Sequence, residues 1–152
     1  MYTSPKNLDS PRICVVIPAY RVTNQIVGVC KKIGPEVQHI LVIDDACPEG
    51  SGKLVQKTVN DPRIEIIFNL SNEGVGGAVL KGYARALELC ADIVIKIDGD
   101  GQMDPGSISQ IIKPIFSSGA GYAKGNRFTD IESLKKMPKI RIFGNLALSF
   151  LT

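Results

Sequence analysis

Ile93-Val94-Ile95-Lys96-Ile97-Asp98-Gly99-Asp100-Gly101-Gln102-Met103-Asp104-Pro105 joins a β-branched apolar run to a cluster of acids, glycines and an amide. The run Ile93–Ile97, broken only by Lys96, reads as a strand buried on both faces. The aspartates therefore arrive at the C-terminal end of that strand, where open α/β sheets take their ligands. Carboxylates two residues apart in a glycine-containing turn can bring oxygen atoms onto one hard cation.

The same pattern recurs on the N-terminal side. Ile13–Pro18 reads as a buried strand closed by Pro18-Ala19-Tyr20, and His39–Ile43 as a second strand ending in Asp44-Asp45. Ile64–Phe68 is the third strand, which makes Ile93–Ile97 the fourth. Helices are expected between them. One covers Asn24–Ile33, with Ile26, Val27, Cys30 and Ile33 at helical spacing and Gly34-Pro35 as its stop. A short one runs from Gly50-Ser51-Gly52 through Val59, and a longer one over Val75–Cys90. Asp104–Phe116 is a further helix that Pro114 bends or ends.

Gly119–Gly125 reads as a fifth strand leading to Asn126-Arg127-Phe128, and Ile140–Leu151 as the start of an apolar helix. Strand–helix alternation repeated in this way predicts an α/β fold, a Rossmann-like, mostly parallel sheet with helices on both faces. Residues 1–11 read as a flexible lead-in and residues 12–152 as one domain. Leu146–Thr152 stops inside an apolar segment with no cap, which suggests a chain truncated at its C-terminus.

Composition narrows the classes. With 44% hydrophobic and 22% charged residues the chain has the balance of a globular protein, and a net charge of +3 is too small to suggest nucleic acid. From Lys124 onward six basic residues stand against two acids, a basic stretch suited to phosphates or an anionic membrane surface, or simply to solvent. Cys14, Cys30, Cys47 and Cys90 include no Cys-x-x-Cys pair, so reduced thiols are expected and not zinc or a disulfide framework. Met1–Ser10 is polar, unlike a secretory leader, and no apolar run approaches the roughly 20 residues that span a bilayer.

Several phosphate-binding readings fail on spacing. The turn after the first strand, Pro18-Ala19-Tyr20, lacks the glycines of a dinucleotide fingerprint. Gly50-Ser51-Gly52-Lys53 has Cys47 and Leu54 where a phosphate loop needs glycine and Ser/Thr. A calcium loop would need glycine at Met103 and glutamate at Ser109. Asp104-Pro105 fits a helix cap followed by its first residue. A cap does not explain Asp98 and Asp100, because adjacent carboxylates repel unless a cation or donors compensate. Gly74-Val75-Gly76-Gly77 reads as a tight helix entry and, compatibly, as a place where backbone N–H groups approach a diphosphate.

Taken in order, Val16-Ile17-Pro18-Ala19-Tyr20, Val42-Ile43-Asp44-Asp45, Asn72-Glu73-Gly74-Val75-Gly76-Gly77-Ala78 and Asp98-Gly99-Asp100-Gly101-Gln102 resemble the family 2 glycosyltransferases of the GT-A fold. Within them the match is to the dolichyl- or polyprenyl-phosphate sugar synthases. The resemblance implies a nucleotide-diphosphate sugar donor of the GDP-mannose or UDP-glucose type, bound by Pro18, Tyr20, Asp44, Asp45, Gly76, Lys81 and Asp98. It implies Mg²⁺ or Mn²⁺ on Asp98, Asp100 and Gln102. Arg127 and Arg141 would meet the phosphate of a polyprenyl-phosphate acceptor, with Asp100 and Arg127 as the catalytic pair. An inverting, metal-dependent transfer at the cytoplasmic face of a membrane is the activity this implies.

The chain departs from the family's pattern in carrying Arg21-Val22-Thr23 after the first turn, and in Gly99 and Gly101 within the acidic turn. The family's catalytic domain also continues well past residue 152. Transfer to a saccharide hydroxyl, which would need a general base, and a non-catalytic nucleotide-binding module are the alternatives.

Overall fold

The computed structural model describes residues 11–125. In chain order they form β1 (Ile13–Ala19), α1 (Ile26–Lys31), β2 (His39–Asp44), α2 (Ser51–Thr58), β3 (Ile64–Phe68), α3 (Gly74–Glu88), β4 (Ile93–Lys96) and α4 (Ile108–Ser118), with a 3₁₀ turn, Pro105–Ser107, leading into α4. The four strands make one parallel sheet in the order β3-β2-β1-β4. Asp44, at the end of β2, stands level with Ala19 of β1 and Phe68 of β3, so the C-terminal ends of these strands share one edge.

Period-two alternation sends the strand side chains into two cores. Val15, Ile17, Ile40, Val42 and Ile95 face α1, α2 and α4, where Ile26, Val29, Cys30, Val55 and Ile108 meet them. Cys14, Val16, Leu41 and Ile43 face the opposite side, where Ala78 and Ala86 of α3 pack. Gly82 lies between those alanines, and a Cβ there would overlap the Val16 side chain, so α3 rests almost directly on β1. Helices thus cover both faces, as alternation predicts.

Some expectations change. Strand β4 is an edge of the sheet among the described residues, and it alternates buried and half-buried positions. The strands buried on both faces are β1 and β2, which have neighbours on either side. Gly119–Gly125 forms no strand: Gly119 caps α4 with a left-handed backbone (φ 65°), and Tyr122 is exposed. Three glycines and two alanines in seven residues bury too little to hold an edge strand. Helix α4 runs past Pro114 to Ser118. Helix α1 is shorter than its apolar spacing suggests, because Asn24 and Gln25 belong to the preceding turn.

Arg63 staples the lower end of the α1 side. Its guanidinium donates to the carbonyls of Ile33, Gly34 and Val37 and pairs with Asp61 at 2.7 Å. The same contact holds the Asp61 carboxyl below its usual range. All four cysteines are free; Cys14 and Cys30 are buried, Cys47 is half-buried and Cys90 exposed. Among the described residues no helix is long and apolar enough to cross a membrane.

Candidate active site

The strand order reverses between β1 and β4, and a crevice must open above such a point because the connections leave in opposite directions. A cleft of about 450 Å³ lies there. Pro18, Ala19, Tyr20 and Val22 line it from the end of β1, Asp45 from β2, and Asp98, Gly99 and Asp100 from β4. Asn72, Gly74, Val75 and Ala78 close it with the first turns of α3. The positive pole of a 15-residue helix therefore faces the two acids of the β4 turn. Gly74 supports this helix entry with a φ of 74°, which an L side chain adopts only under strain.

Adjacent residues at a strand end point to opposite sides, and this separates Asp44 from Asp45. Asp44 is 3% exposed and turns to the α2 side, where its Oδ1 accepts from the Cys47 N–H at 2.7 Å and its Oδ2 from the Gly52 N–H at 2.6 Å. It does not line the cleft. Asp45, 2% exposed, reaches it from the α3 side. Its Oδ1 accepts from Asn69 Nδ2 at 2.8 Å and from the Glu73 N–H at 2.9 Å, tying the loop before α3 to the end of β2. Asn69 is itself buried, and its Oδ1 has no hydrogen-bond partner among the described residues.

Behind the Tyr20 turn, the β2–α2 loop supplies a second brace. Cys47 Sγ accepts the Arg21 N–H at 3.1 Å and Ser51 Oγ accepts the Val22 N–H at 3.2 Å, while the two side chains lie 3.1 Å apart. They hold Arg21 in a left-handed backbone, φ 54°, with its guanidinium 5.4 Å from the Tyr20 ring centre. Burial pushes the Cys47 thiol up, but its hydrogen bonds with Ser51 and neighbouring backbone N–H groups outweigh that and lower it.

The β4 turn is built differently. Asp98 is ion-paired with Lys96, and Asp100 is exposed, its Oδ1 accepting the Gln102 N–H at 3.0 Å. Asp104 caps the turn into α4 by accepting the Gly106 N–H at 3.2 Å, the role that Asp104-Pro105 suggested. Among the described residues no group of three or more His, Cys, Asp or Glu could hold a metal ion. Asp98 and Asp100 are nevertheless two hard oxygen donors in one cleft. Magnesium-type ions are commonly held by one or two carboxylates together with substrate phosphates. The donor set fits a cation shared with a bound diphosphate.

Of the residues expected in the site, Pro18, Tyr20, Asp45, Asp98 and Asp100 line the cleft. Gly76, Lys81 and Gln102 do not, and Asp44 braces it from behind. Arg127 and Arg141 lie outside the described residues. Sequence reasoning missed the braces, Cys47, Ser51 and Asn69, because each meets partners 24–29 residues away.

The family model described as "Glycosyl transferase family 2" matches residues 14–151. The UDP-N-acetylglucosamine–dolichyl-phosphate N-acetylglucosaminyltransferase of Methanococcus voltae is 31% identical over 154 residues, covering 92% of this chain and 61% of that protein. The polyprenol monophosphomannose synthase of Mycolicibacterium smegmatis is 31% identical over 136 residues, covering 86% of this chain and 51% of that protein. The chain thus spans between 51% and 61% of the length of these two relatives. Among solved structures, S. aureus TarS 1-349 superimposes with a TM-score of 0.53 at 17% identity, over 78% of this chain and 40% of that one. That likeness supports the GT-A type of fold.

Proposed function

The chain belongs to glycosyl transferase family 2, and from that premise we propose that it moves a sugar from a nucleotide-diphosphate sugar to a polyprenyl or dolichyl phosphate at a membrane surface. The observation that carries the donor half is the cleft between β1 and β4, with Asp98 and Asp100 on one wall and the N-terminus of α3 on the other. The names of the two relatives, both acting with dolichyl or polyprenol phosphates, support the acceptor half.

The chain's own residues divide the work. Tyr20 and Pro18 offer an apolar wall to a nucleoside, and the buried Asp45 carboxylate offers an acceptor for base or ribose donors. The first turns of α3 present backbone N–H groups to phosphate oxygens. Asp98 and Asp100 would hold Mg²⁺ or Mn²⁺ against the diphosphate; a bound divalent cation stabilises the charge that develops on the leaving oxygens. A polyprenyl phosphate is already an anionic nucleophile and needs no general base. It needs cationic groups to hold it in line, the role given to Arg127 and Arg141. Direct displacement inverts the anomeric centre.

The test is transfer of labelled sugar from GDP-mannose, UDP-glucose or UDP-N-acetylglucosamine to a polyprenyl phosphate or to a saccharide, with and without EDTA. Lipid-linked product, lost on chelation, is the expected result. The Asp100→Ala variant should lose at least about a hundredfold of this activity, the scale of a cation's charge stabilisation. Full transfer by that variant without metal would sink the mechanism, and product on a saccharide alone would move the chain to the hydroxyl-acceptor class.

A further inference from the structure

Lys96 is the last residue of β4 and pairs with Val16 in the sheet register, which puts it on the α3 face. Asp98, two residues on, lines the cleft, and its Oδ1 is in direct contact with the Lys96 ammonium. Both side chains are half-buried, at 30% and 26% exposure, so the pair is not one of the freely solvated ion pairs of a surface. The lysine stem is largely buried while its ammonium reaches the carboxylate at the cleft. Its charge sits on Asp98, one of three carboxylates that line this cleft; of the other two, Asp45 accepts from Asn69 and the Glu73 N–H, and Asp100 is exposed.

We propose that Lys96 is a positioning residue that occupies Asp98 while the cleft holds no nucleotide, so that a divalent cation binds tightly only together with the donor diphosphate. The proposal rests on the metal reading above and deepens it. An ammonium against Asp98 cancels the attraction of that carboxylate and repels an incoming cation. With Asp45 already accepting from Asn69 and the Glu73 N–H, Asp100 is the carboxylate left to an incoming cation, and the protein by itself is a poor metal site. A diphosphate changes the balance by bringing several negative oxygens. They ligate the cation and give the ammonium another anionic partner within reach of its flexible four-carbon stem. The acidic turn is thereby kept from taking up metal in advance of substrate, and the donor and its cation enter as a unit.

The experiment is Mn²⁺ binding by the chain, read from the electron paramagnetic resonance signal of free Mn²⁺, with and without saturating UDP or GDP. The comparison is among wild type, Lys96→Met, Lys96→Gln and Lys96→Arg. Without nucleotide, Lys96→Met and Lys96→Gln should bind Mn²⁺ about tenfold more tightly than wild type, the effect of removing one unit charge a few ångströms away in a partly wet site. Lys96→Arg should stay near wild type, and the gap between nucleotide-bound and nucleotide-free affinities should narrow only in the neutral variants. Should the neutral variants bind Mn²⁺ no better than wild type while all bind it with nucleotide, Lys96 has no such role. No Mn²⁺ binding by any of them, with UDP and GDP shown to bind, would remove the metal reading first and this proposal with it.

Discussion

Two acidic pairs end parallel strands at the same edge of the sheet, and they are built in opposite ways. Asp44-Asp45 is buried and engaged: four backbone or amide N–H groups converge on its carboxylates, from Cys47, Gly52, Asn69 and Glu73. Asp98 and Asp100 are held locally, one carboxylate paired with Lys96 and the other exposed and accepting the Gln102 N–H. The β2 pair ties the end of β2 to the loop and first turn of α2 on one side and to the loop before α3 on the other. The β4 pair is engaged by neighbours within its own strand and turn. Identical side chains in similar sequence settings therefore serve as a brace in one place and as candidate ligands in the other. Neighbouring loops decide which, by whether they bring backbone donors to the carboxylate.

The largest expected contrast is in stability. Asp44→Ala leaves the Cys47 and Gly52 N–H groups without an acceptor and should cost about 3 kcal/mol. Asp100→Ala should stay within about 0.5 kcal/mol of wild type, as exposed substitutions do. Urea titrations of both variants check this, and equal losses would break the contrast.

A smaller difference is expected between the glycines that serve the two pairs. A Cβ at Gly52 would stand 2.8 Å from Asp44 Oδ2 and 3.0 Å from a Phe68 ring carbon, so Gly52→Ala must shift the brace and should cost about 2 kcal/mol. At Gly101 the nearest atom to an added Cβ is 3.6 Å away, and only the left-handed backbone, φ 75°, resists it. Gly101→Ala should cost about 1 kcal/mol. Thermal unfolding of the two variants would sharpen the comparison, and the reverse order would contradict it.

The smallest effect is on a thiol at the brace. Cys47 is lowered by its hydrogen bonds, whereas burial pushes Cys14 and Cys30 up to about 11. A lowered thiol is ionised at a lower pH, so iodoacetamide should label Cys47 before Cys14 and Cys30 in the folded chain at neutral pH. Mass spectrometry of the labelled peptides reads the order. Labelling of Cys14 ahead of Cys47 would show that the brace does not hold the thiol as described.

Much of this architecture could be read from local patterns. Ile64–Phe68 is a strand over the residues that its apolar run marks, and Ile13–Ala19 extends its expected strand by one residue. Strong β-branched runs bounded by turn residues carry their own boundaries. Gly119–Gly125 carried none, and its reading as a strand failed because nothing in it pays for an edge position. In the site, Pro18, Tyr20, Asp45, Asp98 and Asp100 could be named in advance because strand ends deliver them to one edge. The split between Asp44 and Asp45 was latent in the alternation of Ile40, Val42 and Asp44, which share a face. Reading it required knowing that α2 supplies donors on that face.

The sequence by itself determined the parallel α/β order, the edge at which the acids gather and the family to which the motifs belong. These follow from periodicities of two and 3.6 residues and from turn chemistry, which act over short stretches. Only the tertiary structure decided which carboxylates are engaged, that β4 is an edge strand among the described residues, and that Lys96 lies on Asp98. Those outcomes depend on donors and charges brought together by separate loops and by side-chain conformation, and no local pattern specifies them.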